Sequence, residues 1–199
     1  ISLLDYASPG VYLTQKSVTE KQAHIAVTVK LSNAATTKQV NVKVSVKDHD
    51  KTIQEIKRHV TLNAHSEGET IIPFTIQNPR LWNGREDPFM YRAEISLWEN
   101  DKLLDKVIQP LGIRYYRVDP DNGFFLNGKH LPLYGVCRHQ DRAEIGNALR
   151  SMHHEEDTEL MLEMGVNAVR LAHYQQAEYM YDLMDQSGII IWAEIPFIG

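Results

Sequence analysis

Between residues 25 and 31, Ile25, Val27, Val29 and Leu31 alternate with Ala26, Thr28 and Lys30, the period-two signature of a strand with one buried face. Val40, Val42, Val44 and Val46 repeat the pattern against Asn41, Lys43 and Ser45. Segments 52–56, 59–62, 70–76, 91–98 and 103–109 have the same character. Asn33-Ala34-Ala35, Asp48-His49-Asp50 and Glu99-Asn100-Asp101 supply turns between them. About seven short strands within roughly a hundred residues, with no helical period, predict an immunoglobulin-like β-sandwich over residues 1–115.

The pattern changes at Asp119-Pro120-Asp121-Asn122-Gly123. Phe124-Phe125-Leu126, Asn127-Gly128 and Lys129-His130-Leu131 read as a hairpin closed by a type I′ turn, in which both central residues take positive φ. From Leu133 onward the order is β, α, β, α, β. The first helix is predicted over 155–164, with Glu155, Glu156 and Asp157 suiting its positive end and Gly165 its C′ position. The second is predicted over 177–186, with Met180, Leu183 and Met184 on one face and Gly188 as its stop. Short strands joined by helical crossovers imply a parallel sheet. The fold class is therefore mixed: the sandwich over 1–115, then a partial (β/α)8 TIM barrel over 116–199. A complete barrel has eight strands, and about three are present.

Each of those three strands runs from apolar residues straight into ionisable ones. Arg138, His139 and Asp141 follow the first, Arg170 and His173 the second, and Glu194 the third. Barrel enzymes assemble their sites at this carboxyl-terminal face. Taken singly, each residue has a bland reading: Arg170 as an ion-pair anchor for Glu194, Asp141 as a turn former. Their shared position at successive strand ends favours a polar site.

Composition narrows the chemistry. The 21 basic and 26 acidic residues give a net charge of −5 without a sustained run of either sign, which argues against a nucleic-acid groove. No apolar stretch reaches the ~20 residues of a membrane-spanning helix. The start, Ile1-Ser2-Leu3-Leu4-Asp5-Tyr6, has neither Met nor a basic segment before its apolar residues, so it does not read as a signal peptide. The compartment stays open between bacterial periplasm and cytoplasm. The single cysteine, Cys137, excludes an intrachain disulfide and reads as a buried small hydrophobe. His153-His154 reads as a solvated helix start, and Trp192 as core packing ahead of a sugar-pocket wall.

Three chemistries compete for the strand-end residues. Asp141 and Glu194 could form the carboxylate pair of a retaining glycosidase, for which the separation is ~5–5.5 Å. His139 and His173 with either acid could hold a metal, but they lack the i, i+3 or i, i+4 spacing that makes such a set specific. Nucleophilic serine or cysteine chemistry has no support, because no Gly-x-Ser-x-Gly elbow is present and Cys137 is mid-strand. No Gly-x-Gly-x-x-Gly phosphate cradle is present either.

Tyr134-Gly135-Val136-Cys137-Arg138-His139-Gln140-Asp141 and Asn167-Ala168-Val169-Arg170-Leu171-Ala172-His173-Tyr174 resemble the paired signatures of glycoside hydrolase family 2. That family holds β-galactosidases, β-glucuronidases and β-mannosidases. Pro79-Arg80-Leu81-Trp82, Pro88-Phe89-Met90-Tyr91 and Leu111-Gly112-Ile113-Arg114 resemble its immunoglobulin-like domain and the exit from it. Phe125-Leu126-Asn127-Gly128-Lys129 is similar to the entry to its barrel.

The resemblance implies a retaining exo-β-glycosidase. His139, Asp141 and His173 would line the sugar subsite, Arg170 would orient a nucleophilic carboxylate, and Glu194 would support the pocket floor. The family's two catalytic glutamates follow barrel strands four and seven, so no residue here is expected to be catalytic and the 199 residues alone are expected not to turn over. Residues 1–9 resemble the linker that leaves the family's jelly-roll domain. Gln175 stands where a proline usually follows the His-Tyr pair. The segment after Glu194 lacks the Glu and His that bind magnesium in some relatives, so neither metal nor cofactor is expected.

The Cys-Arg-His-Gln-Asp variant tips the expectation toward β-galactosides. β-Glucuronidase, another family 2 activity or a non-catalytic binding module are the alternatives. The expected partner is a β-linked glycoside or oligosaccharide. Copies are also expected to associate through the barrel edges at 133–141 and 189–194.

Overall fold

The computed structural model describes residues 1–6 and 8–196. They form two compact units, one of residues 1–80 and 90–113, the other of 81–89 and 114 onward.

The first unit is an antiparallel β-sandwich. After a short β1 (Ser2–Leu3) come β2 (Val11–Val18), β3 (Gln22–Asn33), β4 (Lys38–Asp48), β5 (Lys51–Leu62), β6 (Ser66–Gln77), β7 (Tyr91–Glu99) and β8 (Lys102–Leu111). In one sheet β3 lies between β6 and the β1/β2 edge; the other runs β5-β4-β7-β8. The alternating residues close the core between them. Ile25, Val27, Val29 and Leu31 of β3 face inward with Val40, Val42, Val44 and Val46 of β4, all at most 1% exposed. Each removes most of an aliphatic side chain from water, worth roughly 2 kcal/mol apiece before conformational entropy is set against it.

Two expectations change here. Segments 52–56 and 59–62 are one strand, β5, because β4 pairs with it along its whole length and a register shift at Val46/Lys47 absorbs the irregularity. β2 escapes the hydrophobic pattern, since it is an edge strand with only Val11 fully buried.

The second unit opens with a three-stranded meander: β9 (Tyr116–Asp119), β10 (Gly123–Leu126) and β11 (Lys129–His130). The turn joining β10 to β11 has Asn127 at φ 48° and Gly128 at φ 80°, the positive pair that a type I′ turn requires. Asn127 does more than turn. Its buried amide donates to Trp82 O at 2.9 Å and Asn83 Oδ1 at 2.7 Å, and its Oδ1 accepts Tyr115 N–H at 3.0 Å. The segment 81–89 is thereby fixed in this unit.

A parallel sheet follows, β12 (Gly135–Arg138), β13 (Ala168–Leu171) and β14 (Ile190–Ala193), in that order across the sheet. Helices α1 (Ser151–Glu163) and α2 (Glu178–Ser187) connect the strands. Met161, Val166, Val169, Leu171, Met180, Met184 and Ile189 form a single buried cluster from helices and strands. This is a sandwich followed by the β/α beginning of a barrel, as the sequence pattern predicts.

Helix α1 starts four residues earlier than its acidic run suggests. The Arg150 N–H donates to His153 Nδ1 at 3.0 Å, closing the first turn upstream of Glu155. His154, expected in solvent, is only 4% exposed. Cys137 and Trp192 differ in the opposite sense. Both are exposed, Trp192 at 70%, because strand alternation turns them away from the helices.

Candidate functional site

The parallel register places Cys137 beside Arg170 and Arg170 beside Trp192 in one rung across the sheet. These three point to the face opposite α1 and α2. Arg138, Leu171 and Ala193 form the next rung, and alternation turns Arg138 and Leu171 toward the helices. The site therefore grows from the first rung and from the loops just beyond the strand ends.

Arg170 and Glu194 are its anchor. Arg170 Nε donates to Glu194 Oε1 at 2.8 Å and Nη2 to Oε2 at 3.1 Å, a two-pronged pairing that fixes both side chains in orientation. Glu194 Oε2 also accepts the His173 N–H at 3.2 Å and lies 3.2 Å from His173 Nδ1. Arg170 Nη2 is 3.5 Å from the same Nδ1, and Nη1 contacts Cys137 Sγ at 3.7 Å. The guanidinium holds the Glu194 carboxyl below its usual value, helped by the His173 N–H. The carboxylate in turn raises Arg170 above its ordinary range. Glu194 is thus an ionised hydrogen-bond acceptor, and a proton-donating role does not suit it.

His173 takes φ 70°, which is uncommon for a side-chain-bearing residue. Glu194 grips both its backbone and its ring. The result brings His173 to His139, ring centroids 5.2 Å apart and edge to face, with the Tyr174 ring 6.2 Å from His139. Both histidines are exposed. Asp141 also lies exposed in the loop after β12, and among the described residues no hydrogen bond or ion pair ties it to this group. The structure therefore unites Arg170, His173, Glu194 and His139 and leaves Asp141 at the margin. Among the described residues no three His, Cys, Asp or Glu side chains gather as a metal centre does.

Arg138 is the correction. It does not join the strand-end cluster on the exposed side but is 7% exposed on the helix side of the sheet. Its Nε and Nη2 bind Asp157 Oδ2 at 3.0 and 2.8 Å, Nη2 meets His154 Nδ1 at 3.0 Å, and Nη1 donates to Gln176 Oε1. A buried cation with this set of acceptors is a structural knot. Sequence reasoning missed Gln176 and His154 because a loop glutamine and a helix-start histidine carry no hydrophobic signal.

Burial and the adjacent Arg138 charge push the His154 pKa down. A depressed histidine contributes stability that is complete above its unfolded value near 6.5 and is lost as pH falls through its lowered folded value. The depressed carboxylates act lower, below about 4.5. His154→Asn keeps an acceptor near the Nδ1 position without the titration. It is expected to flatten the fall in melting temperature as pH drops below about 6.5; an unchanged slope would remove His154 as its cause.

No helix among the described residues is long and apolar enough to cross a membrane. Residues 9–114 match the family model described as glycosyl hydrolases family 2, and residues 118–199 match the model of that family's TIM barrel domain. A β-glucuronidase of Bacteroides fragilis is 61% identical over 199 residues, all of this chain and 29% of the relative. A β-galactosidase of Bacteroides ovatus is 30% identical over 93% of this chain and 22% of its own length.

Among solved structures, a putative β-galactosidase from B. fragilis superposes with TM-score 0.95 at 41% identity, covering all of this chain and 30% of that one. A Bacteroides uniformis β-glucuronidase superposes with TM-score 0.93 at 33% identity, covering 98% and 24%. The chain thus spans under a third of the length of these relatives.

Proposed function

We propose that this chain, which belongs to glycosyl hydrolases family 2, is part of a retaining exo-β-glycosidase whose preferred substrates are β-glucuronides. The observation that carries the reading is the 61% identity to a β-glucuronidase along all 199 residues. It supports glucuronides over the galactosides that the Cys-Arg-His-Gln-Asp variant suggests. Galactosides remain the second reading, supported by the 41% identity to the B. fragilis putative β-galactosidase.

Within that enzyme, His139, His173, Arg170 and Glu194 hold and orient the terminal sugar, with Asp141 closing the margin of the same subsite. Their exposed ring edges and carboxylate oxygens offer donors and acceptors suited to neutral hydroxyls. None is assigned the bond-breaking role: both oxygens of Glu194 are engaged by Arg170, and its lowered pKa does not suit it to donate a proton. Double displacement requires one carboxylate as nucleophile and a second as acid and base.

Hydrolysis of 4-nitrophenyl β-glucuronide and β-galactoside by the whole protein tests the reading. A kcat/KM ratio of about 10² or more in favour of the glucuronide is expected, since the reading requires the rest of the enzyme's site to hold the glucuronate carboxylate, and a site built for such a group discriminates strongly against its absence. A preference for the galactoside would transfer the assignment to the second reading. Failure to cleave either, or any β-mannoside, would sink both.

A further inference from the structure

Beneath the exposed histidines, the loops that follow β12 and β13 are joined by a row of hydrogen bonds. The Arg138 carbonyl accepts the Ala172 N–H at 3.0 Å and Gln176 Nε2 at 2.9 Å. Arg138 Nη1 returns a bond to Gln176 Oε1, so both ends of one amide are used by one arginine. Two residues on, the Gln140 N–H donates to Tyr174 Oη at 3.0 Å, and Gln140 Oε1 accepts the Ala177 N–H at 2.6 Å. Gln176 and Arg138 are each 7% exposed and cannot reach a substrate. On the open side of these loops, His173 is held by Glu194, whereas among the described residues His139 has only its ring contacts with His173 and Tyr174.

We propose that Gln176 is a positioning residue for the sugar subsite, holding the 172–177 loop on the end of β12 so that His139 and His173 keep their ring-to-ring approach. The inference rests on the glycosidase reading for its kinetic consequence but not for its geometry. Asp157 and His154 complete the ring of acceptors around the Arg138 guanidinium, leaving Gln176, among the described residues, as the side chain that links it to the second loop. A displacement of roughly 1 Å transmitted to a binding group can cost about 10²-fold in rate.

Gln176→Met preserves volume and removes both bonds. In the whole protein it is expected to lower kcat/KM by about 10–100-fold on whichever β-glycoside is cleaved. It should also remove most of the effect of His139→Ala, so that the double variant is within about threefold of the worse single one. The ring resonances of His139 and His173 in selectively labelled protein should shift together. Val166→Ala, which loosens the core of the same unit without touching either loop, should leave those resonances in place.

Losses from Gln176→Met and His139→Ala that simply multiply, or ring resonances that stay put, would overturn the proposal. If Gln176→Met does not fold, Gln176→Glu carries the same test with smaller shifts, because it keeps the acceptor for Arg138 Nη1 and loses only the donor to the carbonyl. Should the wild-type protein cleave no glycoside, the proposed function fails, and the resonances alone decide the positioning role.

Discussion

Arg170→Met in the whole protein is expected to lower kcat/KM on the preferred β-glycoside by about 10²–10³-fold. The fork of Arg170 spans both oxygens of Glu194, and Glu194 in turn holds the N–H and ring of His173. Without the guanidinium, the carboxyl loses the main cause of its lowered pKa and rises toward an ordinary value. His173 then sits at φ 70° beside a carboxylate that nothing aims.

Arg170→Lys is a sharp companion. An ammonium is a point charge and cannot span both oxygens, so it should recover less than about tenfold. Kinetics read together with the melting temperature decide the matter. A variant that melts lower yet keeps kcat/KM within threefold of wild type would make the pair purely structural.

How legible this arrangement was depended on what kind of interaction made it. The sandwich was readable from β3 and β4 because their inward residues are all aliphatic and strictly alternate. Arg170, His173 and Glu194 were readable because they are charged or polar at the ends of apolar strands, where burial gives no reason for them. The face on which each residue lands was harder. Arg138 and His139 are neighbours in the sequence, but the pleat sends one under the helices and leaves the other exposed. Nothing local separates them, since what recruits Arg138 inward is Asp157, His154 and Gln176, at distant positions. Cys137 and Trp192 show the complementary error. Apolar character suggested burial, but their register puts them on the face that α1 and α2 do not cover.

Gly188→Ala is expected to cost about 3–4 kcal/mol, exceptional for the addition of one methyl group. Gly188 ends α2 at φ 74°, where alanine alone costs roughly 1 kcal/mol. The larger part is steric. A Cβ at this position would lie 2.3 Å from both C and O of Gly84 and 2.6 Å from Arg85 N, which are all backbone atoms. They can yield only by lifting the 81–89 segment from the end of α2. That movement would strain the bond from Trp82 Nε1 to Asp185 O, 2.7 Å long and made by a side chain only 1% exposed. It would also strain the bond from Arg85 Nη1 to Ser187 O at 3.3 Å. Gly165 supplies the control. It follows α1 at φ 73°, but its Cβ would meet nothing within 4 Å, so Gly165→Ala should cost only about 1 kcal/mol. Urea unfolding of the two variants should therefore differ by at least about 2 kcal/mol. Equal losses would mean that the close approach of Gly84 to Gly188 does not constrain this end of α2.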